Sequence, residues 1–221
     1  ARKLSARGAA FVSLDRQQCD ITDAKSVAGM FAAHRPTLLI NCAAHAKVDL
    51  CEQEPDKADA ANGHAVKLLA HEALRTGTKL VHFSTDFVFD GTAARPYRPG
   101  DLTNPLSAYG RSKLLGEHNL QEINPPGWLI LRTAWLYGED GACFPRTILA
   151  AARSGKPLKV VDDQIGSPTY AGDLAGSTLE LIDRNAAGLF HAVNRGQVSW
   201  YEFTRAILEE MNLLEEAGQR P

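Results

Sequence analysis

Short apolar runs, each closing on a polar residue, alternate along this chain with helix-like segments of about ten to twenty residues. Residues 9–15 (AAFVSLD), 37–41 (TLLIN), 79–84 (KLVHFS), 128–133 (WLILRT), 158–161 (LKVV) and 189–193 (LFHAV) are the strand candidates. Such runs are too short for buried helices and too uniformly apolar for a sheet with one wet face. They suit the interior strands of a parallel sheet, covered on both sides. The helical segments lie at about 22–33, 55–74, 105–121, 144–152, 171–182 and 200–211. Thr22 and Asp23 are placed to cap the first, Pro36 and Gly77 follow helix ends, and the Gly/Pro-rich stretch 90–104 is a loop. The expected fold is α/β, a Rossmann-like doubly wound parallel sheet with a small C-terminal part.

Charge narrows the function. With 24 Lys+Arg against 26 Asp+Glu the net charge is -2, which leaves no basic surplus for a phosphate backbone, so nucleic acid is not an expected partner. No apolar run reaches the roughly 18 residues of a membrane span, so no membrane is expected either. Cys19, Cys42, Cys51 and Cys143 form no CxxC pair and sit in or beside apolar segments. They read as buried thiols of a reducing, cytoplasmic compartment. His64 and His71 are seven apart without an HExxH pattern, so no metal site is expected. The first eight residues read as the end of a helix closed by Gly8, and residues 215–221 as an interrupted connection.

In an open parallel sheet the ligand lies beyond the carboxyl ends of the strands. Those ends are polar here: Asp15-Arg16, then Asn41 to His45, Ser84-Thr85-Asp86, and Thr133-Ala134-Trp135. Asp15 is positioned to accept hydrogen bonds from a ribose, and Arg16 to tolerate a 2′-phosphate; a solvated strand-end pair is the competing reading. Tyr109 and Lys113 are four apart on a helical segment and share a face. An ammonium beside the phenol is expected to lower the Tyr109 pKa and let it exchange a proton with a substrate oxygen. Thr85, directly after a strand, is placed to hydrogen-bond the same oxygen.

Beyond these single features, five motifs occur in order: 41–52 (NCAAHAKVDLCE), 84–91 (STDFVFDG), 104–117 (NPLSAYGRSKLLGE), 130–138 (ILRTAWLYG) and 160–171 (VVDDQIGSPTYA). Together with Asn62 they resemble the dTDP-4-dehydrorhamnose reductases, extended short-chain dehydrogenases/reductases, from about Phe11 to Leu208. The resemblance implies reduction of the C4 ketone of a dTDP-linked 4-keto-6-deoxy sugar with NADPH or NADH. It makes Thr85, Tyr109 and Lys113 the catalytic set. It puts Asp15, Arg16, Asp20, Ile21, Ala43, Ala44 and His45 beside the cofactor with Tyr109 and Lys113. It puts Thr85, Asp86, Trp135, Gln164 and Gly166 beside the nucleotide-sugar. Residues 1–140 are then the dinucleotide-binding domain and 141–221 mainly the substrate-binding part. A homodimer is left open.

Three departures accompany the resemblance. The family's glycine-rich turn is not found in these residues, so the chain is expected to bind a dinucleotide poorly and to leave apolar strand flanks uncovered. Phe87 stands where the family usually has Tyr, and Cys143 where Asn is usual. Two other functions stay open. One is a non-catalytic nucleotide-binding subunit on the same fold, as in the regulatory subunit of methionine adenosyltransferase. The other is a related nucleotide-sugar reductase or epimerase. Trp135 reads as either core or a ligand-stacking ring, Trp128 and Trp200 have no such support, and Asp162-Asp163 reads as a solvated turn.

Overall fold

The computed structural model describes residues 1–155 and 157–211; the reading of 215–221 therefore falls outside the described residues. In chain order the helices are α1 (Arg2–Ala6), α2 (Ala24–His34), α3 (Val48–Gln53), α4 (Pro55–Ala58), α5 (Ala65–Thr76), α6 (Ala108–Ile123), α7 (Phe144–Arg153), α8 (Ala171–Asp183) and α9 (Trp200–Glu210). The strands are β1 (Leu38–Asn41), β2 (Lys79–Thr85), β3 (Leu129–Thr133), β4 (Leu136–Tyr137), β5 (Ile165–Gly166), β6 (Thr169–Tyr170), β7 (Gly188–His191) and β8 (Val198–Ser199).

The chain forms two compact units. The first holds Ala1–Thr133 and Thr178–His191, and the second holds Ala134–Ser177 and the described residues from Ala192. In the first unit β1, β2, β3 and β7 form a wholly parallel sheet in that order. Its register sets Asn41 beside His82, Ser84 beside Arg132 and Thr85 beside Thr133. Local chemistry ends the helices where the sequence suggests. Asp23 accepts hydrogen bonds from the amides of Lys25 and Ser26 to start α2, which stops at Arg35 in the left-handed region (φ 43°) just before Pro36. Gly77 (φ 71°) closes α5. Val27, Phe31, Val66, Leu69, Leu80, Leu120 and Ile130 fill one core, each contributing about 1.5–3 kcal/mol by leaving water.

The second unit has a smaller core of Ile148, Ala152 and Leu208 against Phe144, Leu158 and Val160. Two short strand pairs, β4 with β6 in parallel and β5 with β8 antiparallel, complete it. Its helix α9 begins on a capping box: Ser199 accepts from the Glu202 amide while the Glu202 carboxylate accepts from the Ser199 amide. Ser199 Oγ also donates to Asp162, which therefore has a structural partner although it is exposed.

Three expected elements differ. Residues 9–15 are irregular, and Phe11, Val12 and Leu14 are exposed, because a parallel strand needs a neighbour for its N–H and C=O groups and no described strand pairs with this segment. Residues 158–161 make no ladder; Leu158 and Val160 pack into the helical core instead, and Val161 accepts a hydrogen bond from the Tyr201 amide. The helix expected over 55–74 is broken into α4, a π-helical stretch Asp59–His64, and α5, with α3 before it. The extra residue per π turn swings Asn62 and Gly63 inward, where both are buried. Of the thiols, Cys19 and Cys51 are buried, while Cys42 is exposed. No helix among the described residues is long and apolar enough to cross a membrane.

Candidate active site

The first turn of α6 carries Tyr109, and three separate groups hold that turn. Ser107 caps it by accepting a hydrogen bond from the Gly110 amide (3.0 Å), and Glu52 Oε1 accepts from the Ala108 amide (2.6 Å). Asn62 donates to Ser112 Oγ (2.9 Å), which in turn donates to the Tyr109 carbonyl (2.8 Å). Asn62 also grips the loop after β1 from both sides, accepting from the His45 amide (2.7 Å) and donating to the His45 carbonyl (2.9 Å). One buried amide thus ties the loop beyond β1 to the helix bearing Tyr109.

Thr85 ends β2 and is buried. Its hydroxyl donates to the Asp86 carboxylate (3.1 Å), accepts weakly from the Phe87 amide (3.3 Å) and interacts with the Tyr109 phenol. Phe87 meets Tyr109 edge to face, ring centroids 5.6 Å apart. Burial pushes the Tyr109 phenol up to about 12, helped by the nearby Asp86 and Cys51 and opposed by the Thr85 hydroxyl. Burial likewise raises Asp86.

Lys113 does not lower the phenol's pKa, contrary to the expectation from spacing. Its Nζ is buried, 2.5 Å from the Phe83 carbonyl and 3.2 Å from His82 Nε2. Desolvation brings it down to about 8, against the pull of Glu117. Helical spacing aligns the two α-carbons, but strand β2 decides where the amine points. A further buried set lies alongside: Glu117 accepts from Ser84 Oγ (2.5 Å) and is held by Arg132 through two hydrogen bonds (2.9 and 2.6 Å).

The other expected cofactor residues are spread along the strand-end loops. Asp15 spends its carboxylate on the amides of Gln17 and Gln18 (2.9 and 3.0 Å), so it closes a turn. Arg16 is exposed and approaches Asp20 at 3.6 Å. Asp20 accepts from the Thr22 amide and hydroxyl, contacts that lower its pKa. Ile21 packs on the core of the first unit. Ala43 and Ala44 are exposed beyond β1, and the Ala43 amide donates to Asn41 Oδ1 (3.1 Å). His45 Nε2 is buried with no hydrogen-bond partner, 3.8 Å from Glu54.

Trp135, Gln164 and Gly166 belong to the second unit. Trp135 sits at φ 47°, a left-handed conformation that a bulky residue rarely adopts, and stacks on Trp200 with centroids 3.5 Å apart and planes 9° from parallel. A Cβ on Gly166 would lie 2.4 Å from the Trp135 ring, so glycine there makes the ring's position possible. Gln164 is exposed. His64 and His71 are also exposed. The partner roles of Asn62, His82, Glu117 and Trp200 are ones that sequence reasoning did not assign. His82 was visible as a polar interruption in an apolar strand, whereas Trp200 is 65 residues from its stacking partner Trp135.

The residues beyond β1 and at the start of α6 are of a kind that fits a dinucleotide. Small side chains line the loop beyond β1, a buried imidazole atom there lacks a partner, and a buried amine and a phenol share the helix next to it. The glycine-rich turn that holds a pyrophosphate in such folds is not among these 221 residues.

Known proteins account for the arrangement. The spore coat polysaccharide biosynthesis protein SpsK of Bacillus subtilis is 42% identical over 212 residues, 96% of this chain and 74% of its own length. The dTDP-4-dehydrorhamnose reductase of Aggregatibacter actinomycetemcomitans is 38% identical, over 90% of this chain and 69% of its own. Among solved structures, a dTDP-4-dehydrorhamnose reductase from Clostridium acetobutylicum superposes with a TM-score of 0.93 at 40% identity, covering 96% of this chain and 75% of that one. The Bacillus anthracis dTDP-4-dehydrorhamnose reductase in complex with NADP gives 0.91 at 34% identity, covering 96% and 76%. The family described as the RmlD substrate binding domain matches residues 1–219. The parallel sheet, the five motifs in order and these likenesses have one source: the chain belongs to the RmlD substrate binding domain family.

Proposed function

We propose that this chain serves an NAD(P)H-dependent oxidoreductase that reduces the C4 ketone of dTDP-4-dehydro-L-rhamnose to the alcohol of dTDP-L-rhamnose. The observation that carries the reading is the meeting of Thr85 and Tyr109 at the end of β2, with the phenol held in its protonated form. A reduced nicotinamide, when bound, supplies the hydride to the carbonyl carbon. The residues here supply the other half of the reaction. Thr85 turns its hydroxyl hydrogen from Asp86 to the ketone oxygen and orients it, and Tyr109 transfers its proton to that oxygen as negative charge develops on it. A phenol is protonated at neutral pH and can give its proton to an oxygen that develops alkoxide charge, whose proton affinity is higher still.

Lys113 and Tyr109 would hold the nicotinamide ribose, with Ala43, Ala44 and His45 alongside and Asp15, Arg16, Asp20 and Ile21 toward the adenosine. Asp86, Trp135, Gln164 and Gly166 would contact the nucleotide-sugar. Relatives named as dTDP-4-dehydrorhamnose reductases, one of them solved with NADP, support this assignment. A cytoplasmic homodimer completes the reading; sedimentation that finds only monomer at assay concentration overturns the dimer.

The test is NADPH oxidation by the full-length gene product with dTDP-4-dehydro-L-rhamnose. Tyr109→Phe is expected to lower turnover by about 10²–10⁴ while leaving nucleotide affinity nearly intact. Unchanged turnover removes Tyr109 from the chemistry.

A further inference from the structure

The indole of Trp135 is covered on both faces. Trp200 takes one: the rings lie 3.5 Å apart at their centroids and 9° from parallel, so the second indole overlies the first. Gly166 takes the other. A Cβ built on it would lie 2.4 Å from Cε2 of Trp135, 2.6 Å from Cζ2 and 2.8 Å from Nε1. Cε2 is bonded to the other two and is the inner member of the three, so a point beside the ring edge there would be nearer Cζ2 and Nε1. The observed order puts Gly166 above the ring plane instead. Because the stacked indole already fills one side, the glycine lies on the opposite side.

Neither cover is loose. Trp200 opens α9 directly after Ser199 of the capping box, and the Tyr201 amide donates to the Val161 carbonyl (3.1 Å). Phe144 braces the Trp200 ring, with centroids 4.3 Å apart. Trp135 is held at φ 47° while its carbonyl accepts from the Thr169 amide (3.2 Å). All of these residues belong to the second unit.

An indole can recognise a ligand by stacking on a face or by donating from the N–H on its edge. Both faces of Trp135 are taken, and its edge is not. The ring is half-buried, no acceptor for its Nε1–H lies among the described residues, and the nitrogen is not sealed from solvent. Trp128 is the contrast, since its Nε1 donates to Asn124 Oδ1 at 2.7 Å. We propose that Trp200 and Gly166 are positioning residues that sheathe Trp135, so that it meets the nucleotide-sugar edge-on, its Nε1–H donating to an oxygen of the diphosphate or of the sugar. The inference rests on the reading that Trp135 contacts the nucleotide-sugar, and it replaces a stacking role for that ring.

Stacked indoles give an exciton couplet in far-ultraviolet circular dichroism, which reads the sheath without reference to turnover. The full-length gene product is expected to show the couplet, to lose it in Trp135→Phe and in Trp200→Phe, and to keep it when saturated with dTDP-L-rhamnose. Trp135→Phe retains an aromatic face and lacks the N–H, so calorimetry is expected to find dTDP-L-rhamnose bound roughly tenfold more weakly. Equal weakening of dTDP assigns the acceptor to the diphosphate, and unchanged dTDP binding assigns it to the sugar. Trp200→Ala removes one cover and is expected to raise KM roughly tenfold with kcat held, while Trp200→Phe restores a flat cover and brings KM back near the wild type. A general loss of structure would not produce that split.

A couplet missing from the wild type, a couplet abolished by the ligand, or a Trp135→Phe protein that binds as tightly as the wild type overturns the proposal. If Trp200→Ala fails to fold, the wild-type couplet and Trp135→Phe decide. A wild type that reduces the ketone while Trp135→Phe binds unchanged defeats this inference alone. A wild type that binds no dTDP-linked sugar defeats the reductase reading and this inference together.

Discussion

The α-carbon of Gly110 faces the carbonyl oxygen of Phe87 so closely that a methyl group placed on it would lie 2.2 Å from that oxygen. Gly110 follows Tyr109, and Phe87 follows the Thr85-Asp86 pair, so this contact sets how near the phenol comes to the end of β2. Gly110→Ala is therefore expected to push α6 outward, costing about 1–3 kcal/mol of stability by overpacking and lowering turnover as Tyr109 moves away from Thr85. Urea unfolding and steady-state kinetics of the variant check both effects. Wild-type stability would show that the two backbones separate without strain.

Glu117 and Arg132 form an ion pair whose side chains are 1% and 6% exposed. Breaking such a pair leaves one charge without a partner in a poor solvent. Glu117→Gln is expected to lose about 3–5 kcal/mol. Glu117→Leu combined with Arg132→Met removes both charges and is expected to recover most of that loss. Denaturant midpoints of the three proteins are the measurement, and equal stability of Glu117→Gln and wild type would mean water reaches Arg132.

Gly166 leaves room for the indole of Trp135, which is already in a strained backbone conformation and stacked on Trp200. Gly166→Ala is expected to displace the ring, changing tryptophan fluorescence. If Trp135 contacts the nucleotide-sugar, KM rises while kcat holds, because the reacting atoms sit elsewhere. A fluorescence change with KM untouched would assign Trp135 to packing alone.

How much of this was readable beforehand depends on range. The pairing of Tyr109 with Lys113 on one helix follows from a four-residue spacing, and the parallel sheet follows from the apolar runs. The direction of the Lys113 amine does not follow, because His82 and the Phe83 carbonyl on a different element draw it away from the phenol. Residues 9–15 have strand composition, but composition cannot report whether a neighbouring strand is present to bond with. The break between α4 and α5 does not follow from Asp59–His64, because Asn62-Gly63 weakens a helix without specifying a π turn; the demand that creates the π turn comes from Asn62 reaching His45 and Ser112. Local periodicity is written in the chain, whereas the aim of a buried polar head is decided by what packs over it.

The two buried groups on α6 bend the stability curve in opposite directions at alkaline pH. Lys113 is depressed to about 8 in the folded chain, against the ordinary 10.5. Between those values the unfolded chain binds more protons, so stability rises with pH, by up to about 1.4 kcal/mol per pH unit for one proton. Tyr109 is raised from 10.0 to about 12, so from about pH 10 upward the folded chain holds the extra proton and stability falls as pH rises. Cys51, raised by burial and by the nearby Glu52 and Glu54, also opposes the rise once its thiol begins to ionise. The lysine's share is isolated by comparison with Lys113→Met, in which the phenol and that thiol remain. Urea unfolding free energies measured from pH 7.5 to 10 should climb more steeply in the wild type than in Lys113→Met, and the two curves should run parallel above about pH 10.5. Parallel curves throughout would mean that Lys113 keeps its ordinary proton affinity despite its burial.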